Sequence, residues 1–447
     1  MLRSPRLLAT FTLFLLPISA HAAAAPTPAP NPAPGPAAAV VPAAAPVQAP
    51  SAPSTSAATA AASNASPSPD PAATATTAAP PLATSATAPP TSDPFPPAPT
   101  FDAPSDDSSI NLRIYGDTQF QVRDHAQVHN SFAAAHIDLF PTADVGKLSF
   151  LSEVFFESGD ENEFSVDIER LQISYLFSNW LRVRAGRTHT AFGYYNDAYH
   201  HGNLFELTTG RPYAVNFEDD GGLIGAHLVG VGIDGTFDTS SIGSFRYDLE
   251  TGNGRLSDFT AVAVDHAEKD DKLVNLRLRW MPIDGLTLGV NGLHDVVPAR
   301  PSSTAIDPGR PKLDELIGGA HAVYMEHDFH ILLEAYIIEH KPSGVSAFRT
   351  RGGFAELGYA IGEVTPYTRF ELIQFPRHGD PVYQDPFERP TEADPASPYL
   401  NTERLFDARV GVRWQPMPQL ALKLEAGRLS MDAFHQESAT VKAAFGF

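Results

Sequence analysis

Between residues 110 and 122 the chain alternates without a break. Ile110, Leu112, Ile114, Gly116, Thr118, Phe120 and Val122 fill one set of positions, and Asn111, Arg113, Tyr115, Asp117, Gln119 and Gln121 the other. Successive side chains of a strand point to opposite faces, so this pattern predicts a strand with one apolar and one polar face. It is about thirteen residues long, well beyond the ~5–6 usual in soluble sheets. The same reading along the chain predicts about sixteen strands. They lie near 110–122, 131–140, 147–157, 164–177, 180–187, 224–237, 244–252, 272–281, 286–296, 313–326, 329–340, 348–361, 363–376, 403–415, 420–431 and 437–447.

The connections sort by parity. Those after even-numbered strands are short: 141–146, 178–179, 238–243, 282–285, 326–328, 361–363 and 416–419. Those after odd-numbered strands include the long segments 188–223, 253–271, 297–312 and 377–402. Membrane barrels alternate short turns at one end with long loops at the other, whereas a soluble sandwich has no reason to do so. The expected fold is therefore all-β: a transmembrane antiparallel β-barrel of about sixteen strands, covering 106–447. After the leader, no segment approaches the ~20 apolar residues of a spanning helix, and a closed barrel is the other structure that satisfies its backbone in lipid.

The N-terminal region has no such pattern. Arg3 and Arg6 precede an apolar run at 7–18, and Ala20-His21-Ala22 offers a small-x-small site. Together these predict a signal peptide over 1–22 that is cleaved on export. Residues 23–105 are dominated by Ala, Pro, Ser and Thr, too little apolar surface to offset chain entropy. They are expected to form a disordered periplasmic tether, roughly 250 Å long if fully stretched at 3.1 Å per residue. Its expected role is that of a spacer, with the cell wall as a possible partner.

Composition narrows the function. The net charge of −21 disfavours nucleic acid, whose phosphates it would repel. Cysteine is absent, which excludes disulfides and thiolate metal sites. The chain has no G-x-S-x-G elbow, P-loop or H-E-x-x-H motif, so neither an enzyme nor a cofactor is expected.

Strand periodicity places a set of arginines on the polar face. Arg170 faces away from Leu171, Ile173 and Tyr175, and Arg182 and Arg184 from Leu181, Val183 and Ala185. Arg277 and Arg279 lie between Leu276, Leu278 and Trp280, and Arg409 and Arg413 stand against Ala408, Val410, Val412 and Trp414. A charge facing lipid at mid-depth costs ~2–4 kcal/mol, so these side chains are expected inside the barrel. Together with Arg187 they are candidates for anion contact along a pore. Asp117, Asp138, Glu153, Glu157, Asp407 and Glu425 are expected to face the same interior, and pairing with them would make the arginines braces of the wall instead.

The 188–223 connection carries His189, Tyr194, Tyr195, Asn196, His200 and His201 among several further aromatics. Loops of this length are usually functional or disordered, and its aromatic content favours an ordered segment folded inward to constrict the pore. Its histidines do not predict a metal site, because adjacent His200 and His201 seldom ligate one ion together.

The run Glu169-Arg170-Leu171, Leu181-Arg182-Val183-Arg184-Ala185-Gly186-Arg187-Thr188, Phe192-Gly193-Tyr194-Tyr195-Asn196 and His200-His201-Gly202 resembles the phosphate-selective porin-like superfamily of bacterial outer-membrane β-barrels. The close match covers 169–202. Ala191 stands where that pattern has proline, and the chain holds only seven lysines. The resemblance implies an outer-membrane porin for passive diffusion of small hydrophilic solutes, with an anion- or phosphate-selective channel and a plugged structural barrel as alternatives. It also implies contact with outer-membrane lipid and lipopolysaccharide, and assembly as a homotrimer. Val441, Ala443, Phe445 and Phe447 alternate, and this aromatic ending resembles the signal read by the barrel-assembly machinery.

If 23–105 is a spacer, a chain with its signal peptide joined directly to Asp106 should pass the same current across a planar bilayer as the full chain. A changed current, or failure to fold, would give the segment a larger role.

Overall fold

The computed structural model describes residues 108–447 except 125–129, 159–163, 200–202, 219, 240, 258–268, 303–306, 386–398, 400 and 433. The signal peptide, the tether, His200 and His201 lie outside the described residues.

Sixteen strands form one closed antiparallel barrel. In chain order they are β1 (Ser109–Arg123), β2 (Ser131–Val145), β3 (Leu148–Ser158), β4 (Phe164–Ser178), β5 (Leu181–His189), β6 (His227–Thr239), β7 (Gly243–Asn253) and β8 (Leu273–Ile283). There follow β9 (Leu286–Val297), β10 (Leu313–Glu326), β11 (Phe329–Pro342), β12 (Phe348–Tyr359), β13 (Val364–Gln374), β14 (Arg404–Met417), β15 (Leu420–Met431) and β16 (Phe434–Gly446). Each pairs with its neighbours in sequence, and β1 closes on β16 through pairs such as Gly116 with Phe445 and Phe120 with Val441. Closure leaves no edge strand with unpaired peptide groups.

Alternation sorts the two faces as expected. The outer face is apolar: Leu171 is 48% exposed and Val410 60%, with Leu276, Leu278, Ile337 and Leu424 similarly open. Aromatics gather toward the short turns, where Phe177, Trp180, Phe245, Trp280 and Trp414 are exposed. Trp280 Nε1 donates to the Ile242 carbonyl at 2.8 Å, and Trp414 Nε1 donates to Glu363 at 3.1 Å. Apolar rings with polar tips at one rim suit a boundary between hydrocarbon and water. The inner face carries charge, and Arg277, Arg369, Glu371 and Asp407 are buried there.

Some expected boundaries shift, for identifiable reasons. Strand β2 does not stop before Pro141 but continues to Val145. Its ladder with β3 runs from Leu139–Val154 to Thr142–Leu151, skipping the rungs of Phe140 and Pro141; the missing proline donor costs local pairing without ending the strand. Strand β5 extends to His189, so Thr188 and His189 belong to the wall and not to the long connection, while β6 begins at His227, so residues 224–226, assigned to the strand, belong to the connection. A bulge between Glu153 and Val154 sets Glu153 opposite Arg170 and Val154 opposite Ile168. The extra residue, Glu169, is thereby turned inward beside Arg170 and buried, a direction that strict alternation denies it.

Phe447 lies one residue beyond β16, and its N–H and carbonyl both bond to Ile114 at 2.9 Å. Removing it deletes the last rung that closes the barrel. The yield of folded barrel in outer-membrane fractions, scored by heat-modifiability on gels, is expected to fall. An unchanged yield would show that closure does not need this residue.

Candidate functional site

The connection between β5 and β6 runs inside the barrel. Its neck is closed by the Thr190 N–H bonded to the Ala226 carbonyl at 2.9 Å. Asn196 Nδ2 clamps it, donating to the Thr190 and Ala226 carbonyls at 3.0 and 3.3 Å. Beyond the neck the segment holds one short helix, α1 (Tyr195–Ala198), and a 3-10 turn, Tyr213–Val215. Regular structure therefore satisfies few of its buried peptide groups.

The barrel wall satisfies many of the rest, and it does so by charge. Carboxylates take the loop's N–H groups. Glu250 on β7 accepts from Ala191 at 2.8 Å, and Glu334 on β11 accepts from Tyr194 and Tyr195 at 2.8 and 2.6 Å. Glu371 on β13 accepts from Tyr213 and Ala214 at 2.8 Å, and Glu425 on β15 from Thr209 at 3.0 Å. Cations take the carbonyls. Arg277 donates to Gly193 at 2.8 Å, Arg413 to Leu204 at 2.9 Å and Arg369 to Gly210 at 2.6 Å. Lys423 donates to Asn203 and Thr208 at 2.5 and 2.8 Å. Hydrogen bonds to charged groups contribute about 1.5–3 kcal/mol each, so a segment with little secondary structure is firmly held. Phe192, Tyr195 and Tyr199 fill the space between, all buried, with the Tyr195 ring edge-on to Phe354 at 5.6 Å.

The arginines singled out in the sequence meet carboxylates or carbonyls. Arg182 bonds Asp234 at 3.0 Å, and Arg184 bonds Glu250 at 2.5 Å and Asp234 at 3.4 Å. Arg170 pairs with Glu153 at 2.5 Å and Arg187 with Glu169 at 3.3 Å. Arg277, 1% exposed at its side chain, bridges Asp248 and Asp197, and Arg279 joins Asp248 at 3.0 Å. Arg409 bonds Asp407 and Glu425 at 2.7 and 2.9 Å. His189 lies 3.5 Å from Glu153, and its ring sits 5.8 Å from that of His227. His227 in turn bonds Glu218 at 2.8 Å and Glu169 at 2.6 Å. Burial alone would raise the Glu218 carboxyl, but the His227 imidazole holds it down to about 2.

Sequence reasoning did not single out Glu250, Glu334, Glu371, Arg369 or Lys423. Their signal was present: each is a charged residue at an inward position next to an apolar, outward one, as in Leu332-Leu333-Glu334-Ala335-Tyr336. Periodicity gives their direction but not their partner.

The loop does not fill the barrel evenly. A cavity of about 150 Å³ remains between it and the β16–β2 side, lined by Asn203, Glu206, Arg211 and Asp220 from the loop and by His136 and Lys442 from the wall. Arg211 is fixed by the Val215 carbonyl at 2.8 Å and lies over the Phe217 ring at 4.5 Å. Glu206 is 3% exposed and its Oε2 has no hydrogen-bond partner. Burial pushes this carboxyl up, against the pull of Lys423, Arg211 and Lys442.

Replacing Arg182 and Arg184 together with Gln strips buried Asp234 and Glu250 of cations they bond. Removing one partner of a buried pair costs about 3–5 kcal/mol, so the urea midpoint of the folded barrel is expected to fall while ion selectivity holds. A shifted reversal potential with an unchanged midpoint would instead make these residues part of the conducting path.

No family model matches the chain, and no curated protein matches it in sequence. Solved structures do match. The trimer form of OmpT, an outer membrane protein of Vibrio cholerae, aligns with a TM-score of 0.52 at 10% identity, over 76% of this chain and 99% of that one. The anion-selective porin from Comamonas acidovorans aligns with a TM-score of 0.52 at 11% identity, over 76% of this chain and 100% of that one. A loop L8 deletion mutant of OmpT gives 0.51 at 12% identity, over 77% and 100%. At these identities the likeness is one of fold: the chain is a closed sixteen-stranded barrel of the kind that outer-membrane porins adopt.

Proposed function

We propose that this protein is an outer-membrane channel through which small hydrophilic solutes diffuse passively, along the passage between the inserted loop and the β16–β2 side of the wall. An apolar outer belt and an aromatic rim beside the short turns support the location, in line with the export leader expected over 1–22. The observation that carries the reading is the charged anchoring of the loop inside a closed barrel, which leaves a polar cavity of about 150 Å³ beside it, room for several waters or a small solute. The loop acts as the constriction, and the wall arginines act as braces that set its position.

An anion ladder built on those arginines is the weaker reading. Apart from Arg413, which donates to the Leu204 carbonyl, their charge is met by carboxylates, as for Arg184 with Glu250 and Arg409 with Asp407, and a row so neutralised gives a passing anion little to hold. That one neighbour is an anion-selective porin does not alter this at 11% identity.

In planar bilayers the purified barrel is expected to give discrete, small conductance steps. Glu334→Ala combined with Glu371→Ala removes acceptors that hold the loop and is expected to give larger, noisier steps. Absence of any current would leave a plugged structural barrel as the better account.

A further inference from the structure

The cavity beside the loop is lined by two opposite charges, Glu206 and Lys442, that share no ion pair among the described residues. Glu206, on the loop, is almost wholly buried, and its Oε2 is without a hydrogen-bond partner. Lys442, on β16, is 5% exposed. Its ion pair is with Asp117, at 3.6 Å, longer than a hydrogen bond. Asp117 is already engaged through its other oxygen, by Asn203 and by His136 at 3.1 Å. Among the described residues no ion pair joins Glu206 to Lys442, although both line the same cavity.

Buried charges left short of partners are costly, so the cavity favours a guest that supplies both counter-charges. A lone cation placed at Glu206 faces Lys423, Arg211 and Lys442, and a lone anion placed at Lys442 faces Glu206 and Asp220. Only a guest of both signs meets each wall favourably without bringing net charge. We propose that the cavity is a binding site for small zwitterions of the α-amino acid class. The ammonium group donates to Glu206 Oε2 and the carboxylate accepts from Lys442 Nζ. This deepens the channel reading above and rests on it: the site would lie on the solute path and select among solutes that size alone admits.

The test compares glycine with glycolamide, its uncharged isomer of the same composition, in swelling of liposomes carrying the full-length protein. Glycine is expected to enter severalfold faster. Glu206→Gln and Lys442→Gln should each bring the ratio toward one, while Glu206→Asp retains part of it. Equal rates in the unaltered protein would mean that the cavity holds only water and would overturn the site, whatever the variants do. Selectivity for a single charge would also overturn it, shown if ethylammonium or glycolate reduces single-channel potassium chloride current more than glycine does at equal concentration. Failure of the channel reading looks different: no swelling with either isomer and no salt current, in which case the site falls with it.

Discussion

A buried peptide group and a buried charge each need a partner, and in this barrel each supplies the other. The long connection between β5 and β6 enters the interior with little regular structure to satisfy it. The inner wall carries carboxylates and cations that lipid would not tolerate on the other face. Glu334 receives the N–H groups at the start of α1, Glu371 those of the 3-10 turn, and Lys423 and Arg369 hold carbonyls of the intervening chain. The loop's path is therefore written largely on the wall.

The wall is itself ordered by pairing between strands. Arg182, Arg184, Arg246, Arg277 and Arg279 converge on Asp234, Asp248 and Glu250. Arg409 joins Asp407 to Glu425 on the opposite side. These networks neutralise most of the arginine charge where the loop packs most closely. The β1–β3 side differs. There Asp138 is fully buried with neither carboxylate oxygen hydrogen-bonded, and among the described residues no ion pair joins Glu206 to Lys442 across the nearby cavity. Under the proposed channel function, a selective site is better sought where charges remain incompletely met than where they are abundant.

The periodicity of the chain made much of the fold legible. A period of two over long segments, with connections sorted by parity, specifies a large closed barrel and assigns most side chains to a face. It falters where one residue changes the count. Pro141 looked like a strand end because its missing donor is a local fact, whereas the neighbouring rungs that carry β2 past it are not. Strict alternation puts Glu169 on the outward set with Leu171, and it cannot foresee the bulge that forms where β3 meets β4 and turns it inward.

What the sequence determined by itself was the element type, the approximate number of strands, the apolar outer face and the inward direction of Arg170, Arg182, Arg184, Arg277, Arg279, Arg409 and Arg413. What only the tertiary structure decided was the partner of each inward charge. Asp248 meets Arg277 and Arg279 across a strand pair, and Glu425 meets Thr209 from a loop 216 residues away. Such pairings depend on strand register and on the path of a loop held from several sides at once. Direction is a local property of an alternating chain, but electrostatic neutralisation belongs to the closed barrel as a whole.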